Sequence, residues 1–230
     1  MYQSWQDLLF LHWSVDPQLL EDTLPEGLSL DTFDGKGWVG IVPFFMRGVR
    51  PRLLPPVPSI SNFMELNLRT YVVDRHGRSG VWFFSLDTSH RLPVWIAQKC
   101  FNLPYVYASM SSSERAGLIE YHSKRPNLKD TDEGLRFAWS RPNALKVAVP
   151  GSLEFFLLER YRLFAYNAKR GRLYTGKVHH NRYRYGDPKL EQYSKSLFNL
   201  NGFAAPEGEP VSILASPGAK VEIFPLERVQ

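Results

Sequence analysis

The sequence predicts an α+β fold class in which antiparallel β-strands predominate and a few helices flank them. Two observations lead to this prediction. Most segments between turn residues alternate apolar and polar side chains with a period of two, which is the pattern of strands. Helical start signals occur at only a few short segments, so the helices are expected to be minor elements.

Turn residues divide the alternating segments into separate strands. The dipeptides Asp34-Gly35 and His76-Gly77 suit the tight turns of β-hairpins. The predicted strands cover residues 28–33, 37–46, 64–73, 81–86, 105–110, 118–122, 135–139, 162–166, 172–179 and 220–224.

Short helices are predicted where capping residues precede apolar runs. Asp16 is placed as an N-cap, with Pro17 at the first helical position, where a backbone N–H is not needed. Ser152 caps another helix that runs to about residue 160, and residues 92–101 form one more. The segment 50–59 contains four prolines, which exclude a regular helix and predict a long extended loop.

Length and composition indicate one globular domain spanning residues 1–230. The chain has 230 residues, of which 43% are hydrophobic, so it can form a core and general disorder is excluded. Its net charge of +5 permits an anionic partner without requiring one. A single cysteine, Cys100, excludes an intrachain disulfide. With neither a basic signal-peptide start nor an apolar run of membrane-spanning length, the expected location is cytoplasmic, without membrane association.

Several chemistries are excluded by missing motifs. The sequence contains no glycine-rich phosphate loop, no dinucleotide fingerprint and no nucleophile elbow. His179 and His180 are adjacent on a predicted strand, so they point to opposite faces and cannot chelate one ion. We therefore expect neither a cofactor nor a bound metal.

One predicted strand carries a row of functional side chains. Alternation places Glu65, Asn67, Arg69 and Tyr71 on one face of the strand and apolar residues on the other. On an open sheet this row is an ordinary solvated face. Inside a barrel it becomes a cavity wall, where Arg69 could grip a carboxylate with two hydrogen bonds and Glu65 could act as an acid or base.

A second hypothesis concerns the segment Arg182–Tyr185. Its alternating arginines and tyrosines could neutralise and stack on nucleic acid, or form a protein interaction site. The segment is short, and no nucleic-acid-binding module surrounds it, so packing of arginine on tyrosine explains it more simply. The sequence does not favour nucleic acid as a partner.

Several motifs, in this order, resemble the YqjF-like family, a bacterial domain of unknown function. They are LPEGL at 24–28, GWVGIVPF at 37–44, ELNLRTYV at 65–72, FFSLD at 83–87, FNLPY at 101–105, GSLEFFLLERY at 151–161 and VHH at 178–180. This family is a distant member of the acetoacetate decarboxylase-like superfamily. The resemblance implies a closed, cone-shaped antiparallel β-barrel with flanking helices, which would make the face at 65–71 a cavity wall.

The decarboxylase activity is not implied by the resemblance. Acetoacetate decarboxylases form a Schiff base through a lysine in a Gly-x-Pro-Lys-Lys segment, whereas the corresponding segment here has Tyr105 and Val106 after its proline. Lys99, Lys146 and Lys177 remain as candidate amines, although the ordinary interpretation of each is a solvated surface lysine. A lysine-dependent decarboxylase or aldol-type enzyme therefore ranks third.

The leading hypothesis is a barrel with an internal pocket for a small anionic metabolite. In it, Arg69 anchors the anion and Glu65 is the catalytic acid or base. Asn67, Tyr71 and Tyr105 complete the ligand-binding set, with Tyr105 at the position of the missing lysine. The sequence leaves open whether a reaction follows binding and whether the chain forms a homo-oligomer.

Overall fold

The computed structural model describes residues 1–57, 60–90, 102–126 and 133–229. Within them, strands predominate and most pairs are antiparallel, as predicted. The strands are β1 (Tyr2–Val15), β2 (Leu28–Leu30), β3 (Gly37–Arg50), β4 (Phe63–Asp74), β5 (Ser79–Thr88), β6 (Tyr105–Tyr107), β7 (Ser109–Arg115), β8 (Leu118–Lys124), β9 (Leu135–Ser140), β10 (Lys146–Val147), β11 (Arg162–Asn167), β12 (Arg172–His180), β13 (Arg184–Tyr185), β14 (Leu190–Gln192), β15 (Ser212–Ile223) and β16 (Glu227–Arg228). The described helices are short: α1 (Pro17–Glu21), α2 (Leu153–Leu158) and α3 (Ser196–Asn199).

The main sheet follows a ring of strand pairings. Its order is β4-β3-β1-β15-β12-β11-β5, and β5 pairs again with β4. Only β5 with β6 and β5 with β11 are parallel pairs among the described strands. A four-stranded sheet of β14, β9, β8 and β7 packs beside this ring.

The two sides of the central strands pack into different clusters. Leu9, Leu11 and Trp13 of β1 pack in a core cluster that also contains residues of the four-stranded sheet and of α3. Leu8 and Phe10 point the other way, into a cluster shared with β3 and with the start of β4. Both faces of β1 are therefore buried.

The sequence analysis did not assign β1 as a strand. A strand that is buried on both faces has no polar alternation, so the period-two pattern is missing from it. The strand β15 was predicted only over 220–224, although it begins at Ser212. Gly218 has a φ of 127°, and a β-carbon there would lie 1.9 Å from the Trp5 carbonyl oxygen, so this position of the strand requires glycine. In the sequence, a glycine at this position looks like a turn and hides the strand.

Several local predictions are confirmed and others need correction. Asp16 caps α1 by accepting a hydrogen bond from the Gln18 N–H, and Ser152 caps α2 by accepting from Phe155. The hairpin at Asp34-Gly35 has positive φ at both residues. The predicted strand 105–110 is wrong as one element, because β6 and β7 belong to different sheets. The predicted helix 92–101 lies outside the described residues.

A buried ion pair joins the four-stranded sheet to the ring. The Arg125 guanidinium donates from Nε and Nη2 to the two carboxylate oxygens of Asp87, at 2.7 Å each, and from Nη1 to the Leu200 carbonyl. Asp87 lies next to the last residue of β5. Its carboxylate fixes Arg125, in the segment that follows β8.

The helices described here are all short. None of them is long and apolar enough to span a membrane.

Candidate functional site

A cavity of about 360 Å³ lies on the inner side of the ring. Residues from β1, β3, β4, β5, β11, β12 and β15 line it, and most of its wall is apolar. The apolar lining includes Leu8, Val42, Phe44, Phe63, Val81 and Leu163. A ligand in this cavity would therefore be largely removed from water. Each polar group of the wall would then contribute strongly to the orientation and specificity of binding.

Glu65 is the acidic residue of this wall among the described residues. It lies on β4 opposite Phe44 of β3 and Thr88 of β5, and only 4% of its surface is exposed. Burial raises the pKa of Glu65 to about 7, although hydrogen bonds from Tyr105 and Asn67 oppose the increase. Near neutral pH the carboxyl group can therefore both donate and accept a proton.

Two polar neighbours hold the Glu65 carboxyl group. The Tyr105 hydroxyl donates to its Oε2 at 3.0 Å, and the nearby Asn67 side chain favours the charged form and so lowers the pKa of the carboxyl group. Burial and the nearby carboxylate raise the pKa of Tyr105 well above its ordinary value, so this phenol stays protonated as a donor. The Asn67 Oδ1 atom is buried with no partner among the described residues, which leaves an acceptor free for a ligand.

Arg69 supplies a positive charge to the same wall. Its Nη2 donates to the Leu157 carbonyl at 3.1 Å and to the Tyr71 hydroxyl at 3.3 Å, while Nε is buried and has no partner in the described part of the chain. Its guanidinium also lies 5.5 Å from the ring centre of Phe10. Within the described parts of the chain, no carboxylate is within ion-pair distance of Arg69.

Tyr71 lies behind the cavity wall rather than in it. The side chain is fully buried, and its hydroxyl donates to the Leu157 carbonyl at 2.9 Å. That hydroxyl also bonds the His12 Nε2 at 2.7 Å, so His12 must carry its proton on Nε2. Burial and the charge of Arg69 lower the pKa of His12 well below its ordinary value, which keeps the ring neutral. Tyr71 thus positions the Arg69 guanidinium through its hydroxyl, and His12 holds that hydroxyl in place.

The structure brings four of the five predicted site residues to the cavity. Glu65, Asn67, Arg69 and Tyr105 line it, and Tyr71 does not. His12 was missed by the sequence analysis, because a histidine inside an apolar run gave no separate signal.

The candidate lysines do not line the cavity within the described residues. Lys146 and Lys177 are exposed on β10 and β12, and Lys146 lies against the Tyr185 ring. Lys99 lies outside the described residues. In the segment 102–106, the residue that contacts the Glu65 carboxyl group is Tyr105.

Further polar residues of the cavity were not predicted. Arg160 forms an ion pair with Asp31 at 2.5 Å and donates from Nε to the Phe156 carbonyl. Arg162 begins β11, and its buried Nη1 has no partner among the described residues. Gln3 also lines the cavity, and its buried Oε1 finds no partner in the residues that the structure describes. Arg160 was not predicted because it is adjacent to Glu159, and adjacent residues of a predicted helix face different directions. In the structure, Glu159 accepts a hydrogen bond from the Tyr183 backbone N–H.

The segment Arg182–Tyr185 exposes only its arginines. Tyr183 and Tyr185 are each 3% exposed and belong to a core cluster, while Arg182 and Arg184 are exposed. Stacking on bases requires accessible aromatic faces, which these tyrosines do not present.

Comparisons of the chain with known proteins agree with this fold. The profile of the DUF2071 family, described as an uncharacterized conserved protein, matches residues 2–220. The uncharacterized protein YqjF of Bacillus subtilis (strain 168) is 39% identical over 211 residues, covering 92% of this chain and 85% of that protein.

Solved structures with a similar fold include three enzymes. The enduracididine biosynthesis enzyme MppR complexed with pyruvate has a TM-score of 0.66 at 12% identity, covering 100% of this chain and 90% of that one. The acetoacetate decarboxylase of Legionella pneumophila has a TM-score of 0.65 at 13% identity, covering 100% and 87%. An acetoacetate decarboxylase-like enzyme from Sphingomonas wittichii RW1 has a TM-score of 0.63 at 14% identity, covering 100% and 92%. At these identities the likeness shows the fold alone.

Proposed function

This chain belongs to the DUF2071 family, and from that premise we propose that its ring of strands is a closed, cone-shaped barrel whose cavity binds a small anionic organic molecule. The observation that carries this proposal is Arg69, a guanidinium in an apolar cavity with no carboxylate partner among the described residues. A charge removed from water is costly unless it is paired. A ligand carboxylate or enolate would supply that pairing.

Arg69 is prepared to hold such an anion. Its Nη2 is already fixed by the Leu157 carbonyl and the Tyr71 hydroxyl, so little side-chain freedom is lost when a ligand binds. Its unpartnered Nε can donate to a carboxylate oxygen. Charge-assisted hydrogen bonds of this kind contribute about 1.5–3 kcal/mol each.

Glu65 is the group that moves a proton to or from the bound molecule. It lies two strand positions from Asn67 and four from Arg69 on the same face of β4, so an anion held by Arg69 extends along that row. A pKa of about 7 is suited to proton transfer at neutral pH, since both protonation states are populated. Tyr105 orients the carboxyl group through its hydroxyl.

Short keto acids are the first class of ligand to consider. One structural neighbour, MppR, is complexed with pyruvate, and two others are described as acetoacetate decarboxylase or as like it. We carry over only the ligand class, a short carboxylate with a second oxygen. Imine chemistry is not carried over, because the segment that corresponds by sequence to the lysine pair has Tyr105 and Val106 instead.

A thermal-shift screen of short keto and hydroxy acids tests the binding proposal. A ligand that binds only the folded protein stabilises it by RT ln(1 + [L]/Kd), so the melting temperature rises with ligand concentration. We expect a hit with the wild type that is lost in Arg69→Gln and retained in Arg184→Gln, a matched change at an exposed arginine outside the cavity. If the hit survives in Arg69→Gln, the anchor is wrongly assigned.

The Glu65→Gln variant separates an enzyme from a binding protein. An enzyme is expected to keep its affinity for the ligand and to lose turnover, since glutamine accepts the Tyr105 hydrogen bond but transfers no proton. A binding protein is expected to show a changed affinity only. Turnover that persists in this variant would remove Glu65 from the chemistry.

A further inference from the structure

The loop between β3 and β4 carries apolar side chains that project into water. Leu53 is 92% exposed, Leu54 is 58% exposed and Val57 is 47% exposed. Single exposed apolar residues are common on protein surfaces, but these three lie within one short segment, residues 53–57. Exposed apolar patches mark contact sites for another molecule or for a membrane. The tip of this loop is therefore a candidate contact surface.

Hydrogen bonds hold the loop closed at its base. The Ser61 hydroxyl accepts from the Val57 N–H at 2.8 Å and donates to the Val49 carbonyl at 2.7 Å. The Ser61 carbonyl also accepts from the Val49 N–H at 3.0 Å, and only 2% of the Ser61 surface is exposed. Because both ends of the loop are fixed in this way, the structure presents Leu53 at the tip of a closed loop.

The outer face of the ring beside this loop is basic. Ser4 of β1 pairs with Arg47 of β3 and with Lys220 of β15, so these residues form one row across three strands. The row lies on the outer face, because Trp5, the next residue of β1, lines the cavity. Strand spacing puts the α-carbons of Arg47 and Lys220 about 10 Å apart.

A second row of the same face adds another cation. Tyr2 pairs with Arg50 on one side and with Glu222 on the other. Arg50 lies at the rim, since it also borders the cavity, and its guanidinium is 5.9 Å from the Tyr2 ring centre. It forms no ion pair with a carboxylate of the described residues. Within the loop itself, Arg52 is exposed.

Positive charge dominates around the exposed leucines. No aspartate or glutamate occurs from residue 35 to residue 64. We name the apolar tip and the cations beside it the loop patch: Leu53, Leu54, Val57, Arg47, Arg50, Arg52 and Lys220. Strand pairing brings one acid, Glu222, to the same face as these four cations. A partner of this surface must therefore be both anionic and able to take up apolar side chains.

An anionic bilayer meets both requirements. Its phosphate groups attract arginine and lysine, and the boundary of its acyl region accepts leucine side chains. A twofold contact with a second copy would instead bring the same four cations against each other, which is unfavourable. We propose that the loop patch docks on the surface of an anionic phospholipid bilayer, with Leu53 and Leu54 inserted below the headgroups.

This inference goes beyond the proposed ligand binding and does not depend on it. Surface docking needs no membrane-spanning segment, whereas the expectation of no membrane association was based on the lack of one. Val49, Pro51 and Ile60, at the base of the loop, line the cavity. Docking would therefore bring this end of the cavity close to the lipid surface.

Co-sedimentation with vesicles tests the docking. The probes are vesicles of phosphatidylcholine alone and of phosphatidylcholine with about one-third phosphatidylglycerol, at low and at physiological salt. We expect the wild type to bind the anionic vesicles, to bind the neutral vesicles much more weakly, and to be released as salt rises. An arginine near an anionic surface contributes about fivefold to partitioning, so Arg50→Gln/Arg52→Gln should bind roughly twenty- to thirtyfold more weakly.

A variant of the loop tip tests the insertion. Leu53→Ser/Leu54→Ser should bind the anionic vesicles more weakly by roughly tenfold or more, because two leucine side chains no longer leave water. Val149→Ser/Val211→Ser is the matched control, since these valines are 68% and 61% exposed and lie outside the loop patch. The control should bind as the wild type does.

Several results would overturn the inference. One is wild-type protein that does not bind anionic vesicles at low salt, and another is equal binding to neutral vesicles. Binding that persists unchanged in Leu53→Ser/Leu54→Ser would remove the loop from the contact. Light scattering without vesicles tests the other occupant, because a dimer that becomes a monomer in this variant would assign the loop to a contact between copies. The keto-acid screen contains no lipid, so either proposal can fail while the other stands.

Discussion

The protonation of Glu65 should make the stability of the protein depend on pH. The carboxyl group has a pKa of about 7 in the folded protein and an ordinary value of 4.5, because burial disfavours its charged form. The folded protein therefore binds more protons at this group than the unfolded chain does between these two pH values. The free energy of unfolding should consequently decrease as pH rises from about 4.5 to about 7, and should then level off.

The size of this decrease follows from the difference between the two pKa values. At about 1.4 kcal/mol for each pH unit, a pKa of about 7 against 4.5 corresponds to about 3 kcal/mol over the whole transition. Between about pH 5 and about pH 8, most of it, about 2–3 kcal/mol, should be measurable. Glu65→Gln lacks the titrating group, so its stability relative to the wild type should rise by this amount over the same range.

Urea denaturation of both proteins at matched pH values measures the effect. Subtracting the two free-energy curves removes the contribution of all other titrating groups that the proteins share. The critical quantity is the slope of the difference with pH, not its absolute value, since the substitution also changes packing. A difference that stays constant from about pH 5 to about pH 8 would refute both the raised pKa and the acid–base role given to Glu65.

Three further predictions concern the surroundings of the site. Arg125→Ala should lower the free energy of unfolding by about 3–5 kcal/mol in urea denaturation, because the Asp87 carboxylate is left buried without its partner. Gly218→Ala should lower the melting temperature markedly, since a β-carbon there meets a carbonyl oxygen of β1 at 1.9 Å; an unchanged melting temperature would contradict the register of β1 with β15. Tyr105→Phe removes a hydrogen bond that lowers the pKa of Glu65, so the pH transition described above should move to higher pH, and a move to lower pH would exclude that bond.

Alternation along one strand was sufficient to predict three residues of the candidate site. Glu65, Asn67 and Arg69 share a face of β4 because strand side chains alternate, and the structure places all three on the cavity. The same pattern could not show where the cavity ends. Tyr71 continues the row, but Leu157 of α2 covers its hydroxyl, and the contact between a strand and a distant helix is not visible in strand periodicity.

The other residues of the site depend on contacts between segments far apart in the sequence. His12 and Arg162 lie on strands that reach the cavity only through the pairing of β1, β15, β12 and β11. The strand β1 was also missed, since both of its faces are buried and apolar. Local pattern predicts which residues share a face, whereas the ring order that brings faces together is a property of the whole chain.

The polar atoms left without partners support the proposal that this cavity binds a ligand. Among the described residues, five of the nine buried side-chain atoms without a hydrogen-bond partner belong to residues that line it. Each such atom costs about 1–3 kcal/mol, and an apolar side chain of similar size would avoid that cost. An interior shaped only for stability would therefore be apolar at these positions. A ligand that paired these atoms would recover that loss, which is the reason the polar groups of the wall support the proposed binding function.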